Sequence, residues 1–406
     1  LLAEKKTLSS SHISLLLIRK ALMRFKAIKT VWAVIGLTLT FNSPIGLAAD
    51  SLEAEQIYVQ KLTDPQPNWL VVNDPNFLGN MDSKVLLMDV DSSRMLGMLS
   101  TGAWRNAVEF SPNRDLVYSP ETYYSRGTRG ERVDVVTIYE LETLSPLGEI
   151  EIPPKRGSGA AHRAYSGISF DGRFVYVFNV TPAMSVSIID VVDQTFVEEI
   201  SIDGCAMVYP TGNFSFLSLC GNGRIRHTKL NHSGNLLESS FSDQIFDPMG
   251  DPLTEKAARV GGTWYFVSFH GKVVEVDASD DGVSELRTWN ALSKKEVKKG
   301  WRPGGGQLLA VHDTGTLYLS LNRNGVDSHK LPGERIRAYS IRDQKKIFDI
   351  KPAEPVINLV VSSGENPILA ASTQGPIILV HSAKDGSYLK QLRGPLLGTG
   401  VIQFLE

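Results

Sequence analysis

One hairpin recurs along this 406-residue chain, and its recurrence constrains the fold more than any other feature. An apolar strand ends in a turn and a second apolar strand begins at once. The strand-ending residues are Phe110, Phe170, Tyr209, Val260, Val311 and Val361, spaced by 60, 39, 51, 51 and 50 residues. A strand-only unit repeating every 40–50 residues or so is the sequence form of a β-propeller, in which each unit buries its apolar faces only against its neighbours. The ends of the chain complete the count. Val401–Phe404 reads as a first strand lacking its second, and Trp69–Val72 as a second strand lacking its first. Six whole hairpins plus one shared between the termini predict an all-β, seven-bladed propeller. Pairing of the C-terminal strand with the N-terminal strands closes its ring and removes the open sheet edge.

Residues 1–49 read as a leader. Met23 is the expected start, followed by Arg24, Lys26 and Lys29, an apolar run Val31–Phe41, and small residues up to Ala49. A basic segment, a short apolar core and small residues before a cut form a secretory signal peptide, and eleven apolar residues are too few to span a bilayer. Residues 50–65 are expected to form a polar arm and 66–406 the single propeller domain. The whole chain has 42 basic and 44 acidic residues; without the seven Lys/Arg and one Glu of residues 1–49, 35 and 43 remain, a net charge of −8. No basic tract is left to neutralise a run of phosphates, which excludes nucleic acid as a partner.

Cys205 and Cys220 are the two cysteines, and they flank one hairpin. If Gly212-Asn213 make a two-residue turn, the two face each other directly, at bridging distance, and an exported chain reaches an oxidising compartment. The alternative is a pair of buried free thiols, and a register slip of one residue would put them on opposite faces.

Catalytic groups are missing. The histidines outside the leader (His162, His227, His232, His270, His312, His329 and His381) have no metal-binding spacing, so no metal is expected. No nucleophile elbow, phosphate loop or haem-attachment motif is present. Asp280-Asp281 reads as a solvated loop tip, His270 as a turn residue, and Leu292–Lys299 as a short, solvated surface helix.

Several stretches in order carry a family resemblance: Thr122-Tyr-Tyr-Ser-Arg-Gly-Thr-Arg-Gly-Glu-Arg-Val-Asp-Val-Val136, Ile152-Pro-Pro-Lys-Arg156, the cysteine pair with Cys220-Gly-Asn-Gly223, Trp301-Arg-Pro-Gly-Gly305 and His329-Lys-Leu-Pro332. From about residue 66 to the C-terminus the chain resembles the heavy subunit of the quinoprotein amine dehydrogenases, closer to aromatic amine dehydrogenase than to methylamine dehydrogenase. The resemblance implies a periplasmic seven-bladed propeller with a disulfide in blade four. It implies a cysteine-rich light-subunit partner, two heavy with two light chains, bearing the tryptophan tryptophylquinone cofactor and the catalytic Asp. It further implies oxidation of primary amines to aldehyde and ammonia, with a small copper protein as electron acceptor. No catalytic residue is then expected in this chain, and none of it would remain in a membrane after signal cleavage. Phe77, by position, resembles the heavy-chain Phe that lines the substrate channel. The loop bearing Arg126, Arg129 and Arg132, together with residues 66–82, is the expected light-subunit contact. The competing readings are a periplasmic binding or scaffold propeller without a light subunit, and a propeller hydrolase with a central metal.

Overall fold

The structure, a computed structural model, describes residues 58, 60–74, 81–103, 107–393, 398 and 400–405. The expected leader, most of the arm and Phe77 lie outside the described residues. Seven antiparallel sheets form a ring of blades. Blade one contains Val401–Phe404, Trp69–Asp74, Lys84–Asp89 and Arg94–Ser100, in that order from the axis outward. Blades two to seven begin at the axis with Glu109–Phe110, Ser166–Ile168, Cys205–Pro210, Ala258–Val260, Leu309–His312 and Val356–Val361. Of the six strand-ending residues read from the sequence, Phe110, Val260 and Val361 close their axial strands, Tyr209 and Val311 fall one residue before the end of theirs, and blade three's strand stops at Ile168. Phe170 lies past it in the turn, its N–H donating to Gly212 O (3.0 Å), 37% exposed and stacked under Arg259.

Alternation along the strands explains the ring. In Trp69–Val72, Leu70 and Val72 pack with blade seven's Ala370 and Val380, while Trp69 and Val71 pack with blade two's Val108 and Val117. Successive side chains point to opposite faces, and both faces of an inner strand are covered by the adjoining blades, so these strands are mostly apolar. Seven apolar clusters result, each between two consecutive blades, the last joining blade seven to blade one. The outermost strands, such as Leu236–Phe241, face solvent. Closure follows the expected pairing: Leu70, Val71, Val72 and Asn73 oppose Phe404, Gln403, Ile402 and Val401. The Asp385-Gly386 turn holds Gly386 at φ +77°, and a Cβ there would come within 2.7 Å of Ile350.

Cys205 and Cys220 do face each other and are bonded, with S–S 2.06 Å. Bridging a 15-residue separation contributes about 3 kcal/mol in the chain-entropy picture. The route to that register differs from the expected two-residue turn. Thr211 N–H donates to Ser215 O (3.0 Å), so the turn is one residue longer, and a bulge between Ala206 and Tyr209, with Met207 at φ +69°, absorbs the extra residue. Asp280 is not a solvated tip either. It reaches from blade five and accepts from Asn213 N (3.1 Å), Phe214 N (2.8 Å) and Ser215 Oγ (2.8 Å), capping the long turn; Asp281 alone is exposed. The charged helix forms over Lys294–Lys298 behind a Ser293/Glu296 capping box and buries none of its residues.

Candidate functional site: the loop face and the axial channel

Antiparallel strands place two sets of connections at one end of the blades: those between second and third strands, and those leading from an outer strand to the next axial strand. Residues 81–83 and 125–131 belong to the first set, 153–165 and 242–257 to the second. The predicted contact loop and the approaches to the axis therefore share a face.

The 125–131 hairpin is carried by the long strands Leu116–Tyr124 and Arg132–Glu140. Arg126 and Arg129 are exposed at its tip, where Arg126 N–H donates to Arg129 O (3.0 Å). Arg132 behaves differently. Its Nε and Nη2 grip Asp134 (2.8 and 2.7 Å), and Nη2 also donates to Arg156 O (3.1 Å). Asp134, fully buried, also accepts from Thr122 Oγ1 (2.8 Å) and Arg156 N (3.0 Å). The buried Arg156 guanidinium closes the network on Thr122 Oγ1 (2.6 Å) and Ala103 O (2.9 Å). Burial lowers its pKa to about 10, with the Asp134 charge pulling the other way. Of these three arginines, Arg126 and Arg129 are exposed and Arg132 is half-buried in the Asp134 network.

The axial strands enclose a cavity of about 360 Å³. Its walls include Phe110, Leu309 and Phe404, and its charged lining is Glu109, Arg163, Glu255, Lys256 and Arg259. Glu109 is satisfied by Arg163 (3.1 Å) and Ser166 Oγ (2.7 Å). Arg259 stacks on Phe170 at 4.5 Å and donates to Gly261 O (2.7 Å), without a carboxylate within 4 Å among the described residues. Lys256 is 9% exposed; its ammonium has one long contact, His329 O at 3.4 Å. Burial pushes its pKa down, against the attraction of Glu255. His162 accepts Ala164 N–H at Nδ1 (3.0 Å), which leaves the proton on Nε2. That N–H is buried without a hydrogen-bond partner, 3.7 Å from Glu255 Oε1 and so beyond bonding range. Burial lowers the His162 pKa to about 4 and keeps the ring neutral.

No local motif marks His162, Glu255, Lys256, Glu109 and Arg259 as one site. The available signal was an ionic residue inside an apolar axial strand, as in Val108-Glu109-Phe110 and Ala258-Arg259-Val260. Among the described residues no group of three or more His, Cys, Asp and Glu could hold a metal ion, and no helix is long and apolar enough to cross a membrane. His270 sits at its turn beside Asp251, which accepts its backbone N–H (2.7 Å).

Residues 67–401 match the methylamine dehydrogenase heavy chain family. The methylamine dehydrogenase heavy chain of Methylophilus methylotrophus is 26% identical over 328 residues, covering 79% of each chain. That of Methylobacillus flagellatus is 23% identical, covering 86% of this chain and 87% of its own. Among solved structures, a protein of unknown function from Desulfotomaculum acetoxidans superposes with TM-score 0.56 at 12% identity, covering 83% of this chain and 98% of its own, which bears on the fold alone. With a seven-bladed ring and a match across nearly the whole of it, the chain belongs to the methylamine dehydrogenase heavy chain family.

Proposed function

We propose that this chain is the heavy subunit of an exported, periplasmic amine dehydrogenase. In this reading it binds a light subunit that carries tryptophan tryptophylquinone, in a complex of two heavy and two light chains. The complex deaminates a primary amine oxidatively to aldehyde and ammonia, and a small copper protein receives the electrons. The observation that carries the reading is the family match over residues 67–401, spanning the whole ring rather than one motif.

The chain's own chemistry is consistent with a supporting role. Trp264 donates its indole N–H to Pro210 O (2.8 Å) and Trp289 to Glu275 Oε1 (2.7 Å), while Trp69 and Trp301 pack in blade interfaces. Each of these four is committed to the scaffold, which supports a quinone built on another polypeptide. The quinone supplies the electron sink when the partner is bound. The heavy chain's part is to position that partner, wall the substrate path and keep water out. Phe77 is the proposed wall residue, and Arg126 and Arg129 the proposed contacts, since arginine is enriched where proteins meet. The proposed substrate is a primary amine; the relatives named above are methylamine dehydrogenase heavy chains.

The test is purification of the chain from its native source under mild conditions, followed by spectroscopy and peptide mapping. A co-purifying small subunit with a crosslinked Trp pair and amine-bleached quinone absorbance is expected. Isolation of the chain without such a subunit, from cells grown on amines, would refute the reading.

A further inference from the structure

We propose that the axial cavity is a binding site for a small organic carboxylate, held by the Lys256 ammonium, the Arg259 guanidinium and the His162 Nε2–H. Three observations converge on it. Lys256 and Arg259 both line the cavity, and neither has a carboxylate within 4 Å among the described residues. The Lys256 ammonium is buried with one long hydrogen bond, which is costly, and an anionic ligand relieves that cost, while Arg259 is exposed and adds a second cation to the lining. The His162 Nε2–H is a buried donor with no acceptor, in the same cavity wall. Donors left open in buried sites are commonly completed by a ligand or an ordered water.

Charge and shape then select the ligand. Arg163, Lys256 and Arg259 oppose Glu109 and Glu255, and His162 is neutral, so the lining carries one net positive charge. A monoanion neutralises it, whereas a phosphate dianion would overshoot. A volume of about 360 Å³ is near the lower end of ligand cavities and admits a small ring or short chain. Phe110, Trp264, Leu309 and Phe404 offer apolar contact to the body of such a molecule. Arg259, stacked between Phe170 and Trp264, is held in place before a ligand arrives. The site involves no step of amine oxidation and does not depend on the light subunit.

The experiment is calorimetric titration of the purified full chain, at low ionic strength, with sodium benzoate, sodium acetate and the neutral isostere benzamide. Benzoate should bind once per chain with Kd below about 1 mM, and benzamide should bind at least about tenfold more weakly because the charge-assisted bonds are lost. Benzoate should also raise the melting temperature of the unsubstituted chain in a concentration-dependent way, a readout that needs no variant. Lys256→Met and Arg259→Met, which keep the apolar stems, should each weaken benzoate binding about tenfold or more. Equal affinity for benzamide, unchanged benzoate affinity in both variants, or no saturable binding up to roughly 20 mM would overturn the proposal. Since no turnover is measured, these outcomes stand apart from success or failure of the amine dehydrogenase reading.

Discussion

Gln307 and Ile402 are joined side chain to backbone in both directions: Gln307 Nε2 donates to Ile402 O (2.9 Å) and Gln307 Oε1 accepts Ile402 N–H (2.7 Å). The carboxamide therefore acts as one more peptide unit alongside the closing strand, from a residue 95 positions earlier. Gln307's own backbone bonds to blade seven through Ile357 O and Leu359 N. On the other flank Gln403 Nε2 donates to Val108 O (3.0 Å). The C-terminal strand is thus held by its ladder to Trp69–Asp74 and by a glutamine on either side.

Gln307→Ala should cost about 1–3 kcal/mol, because both Ile402 groups lose their partner in a buried setting. The urea midpoint should fall with an unchanged slope. A shift within about 0.5 kcal/mol, the usual range for a surface change, would show that the ladder alone holds the strand.

Much of the ring was legible because blade cores follow a two-residue period that survives in one sequence. Leu70/Val72 and Trp69/Val71 announce two buried faces, and six turn-marked strand ends announce six axial strands. The closing strand was legible from the unpaired Val401–Phe404 segment. The bulge at Met207–Val208 was not, because it depends on Asp280 arriving from the next blade to cap a longer turn. The axial cavity was illegible for the same reason. Glu109, His162, Lys256 and Arg259 are far apart in sequence, and only the ring brings them to one axis. Arg132 read like its neighbours Arg126 and Arg129, since a salt bridge to Asp134 two residues on leaves no mark that separates it from a free surface arginine.

Phe77→Ala, in the complex with the light subunit, should change the ranking of kcat/KM among primary amines. Loss of an apolar wall contact is worth about 1–3 kcal/mol of discrimination, so the ratio for phenethylamine against methylamine should move by about tenfold or more. An equal loss for every amine, tracking a fall in melting temperature, would assign Phe77 to packing.

His162 links stability to pH. Its pKa in the folded chain is about 4, below the usual value of 6.5, with burial as the main cause. Glu255 works against that shift, while Lys256 and Arg163 reinforce it. The unfolded chain therefore takes up a proton first as the pH falls. The stabilisation is present in full above pH 6.5 and is lost progressively down to about pH 4. Urea midpoints at pH 7.5 and 5 should differ more for the unsubstituted chain than for His162→Gln. Equal differences would mean that the ring is not held neutral in the fold.

Arg156 and the tip arginines should separate by what they disturb. Arg156→Met removes the guanidinium from Thr122 and Ala103 O and should destabilise by about 3 kcal/mol or more, as breaking buried ionic networks does. The loosened base should also expose the 125–131 hairpin, so trypsin should cut after Arg126 and Arg129 faster than in the unsubstituted chain. The double change Arg126→Glu, Arg129→Glu touches no hydrogen bond of the network around Asp134 and should leave the urea midpoint within about 0.5 kcal/mol of its original value. If the hairpin is a contact for the light subunit, that same double change should weaken association by about tenfold, mostly through faster dissociation. Unchanged association would move the contact elsewhere on the loop face. A large loss of stability in the double variant would mean instead that the tip is part of the scaffold.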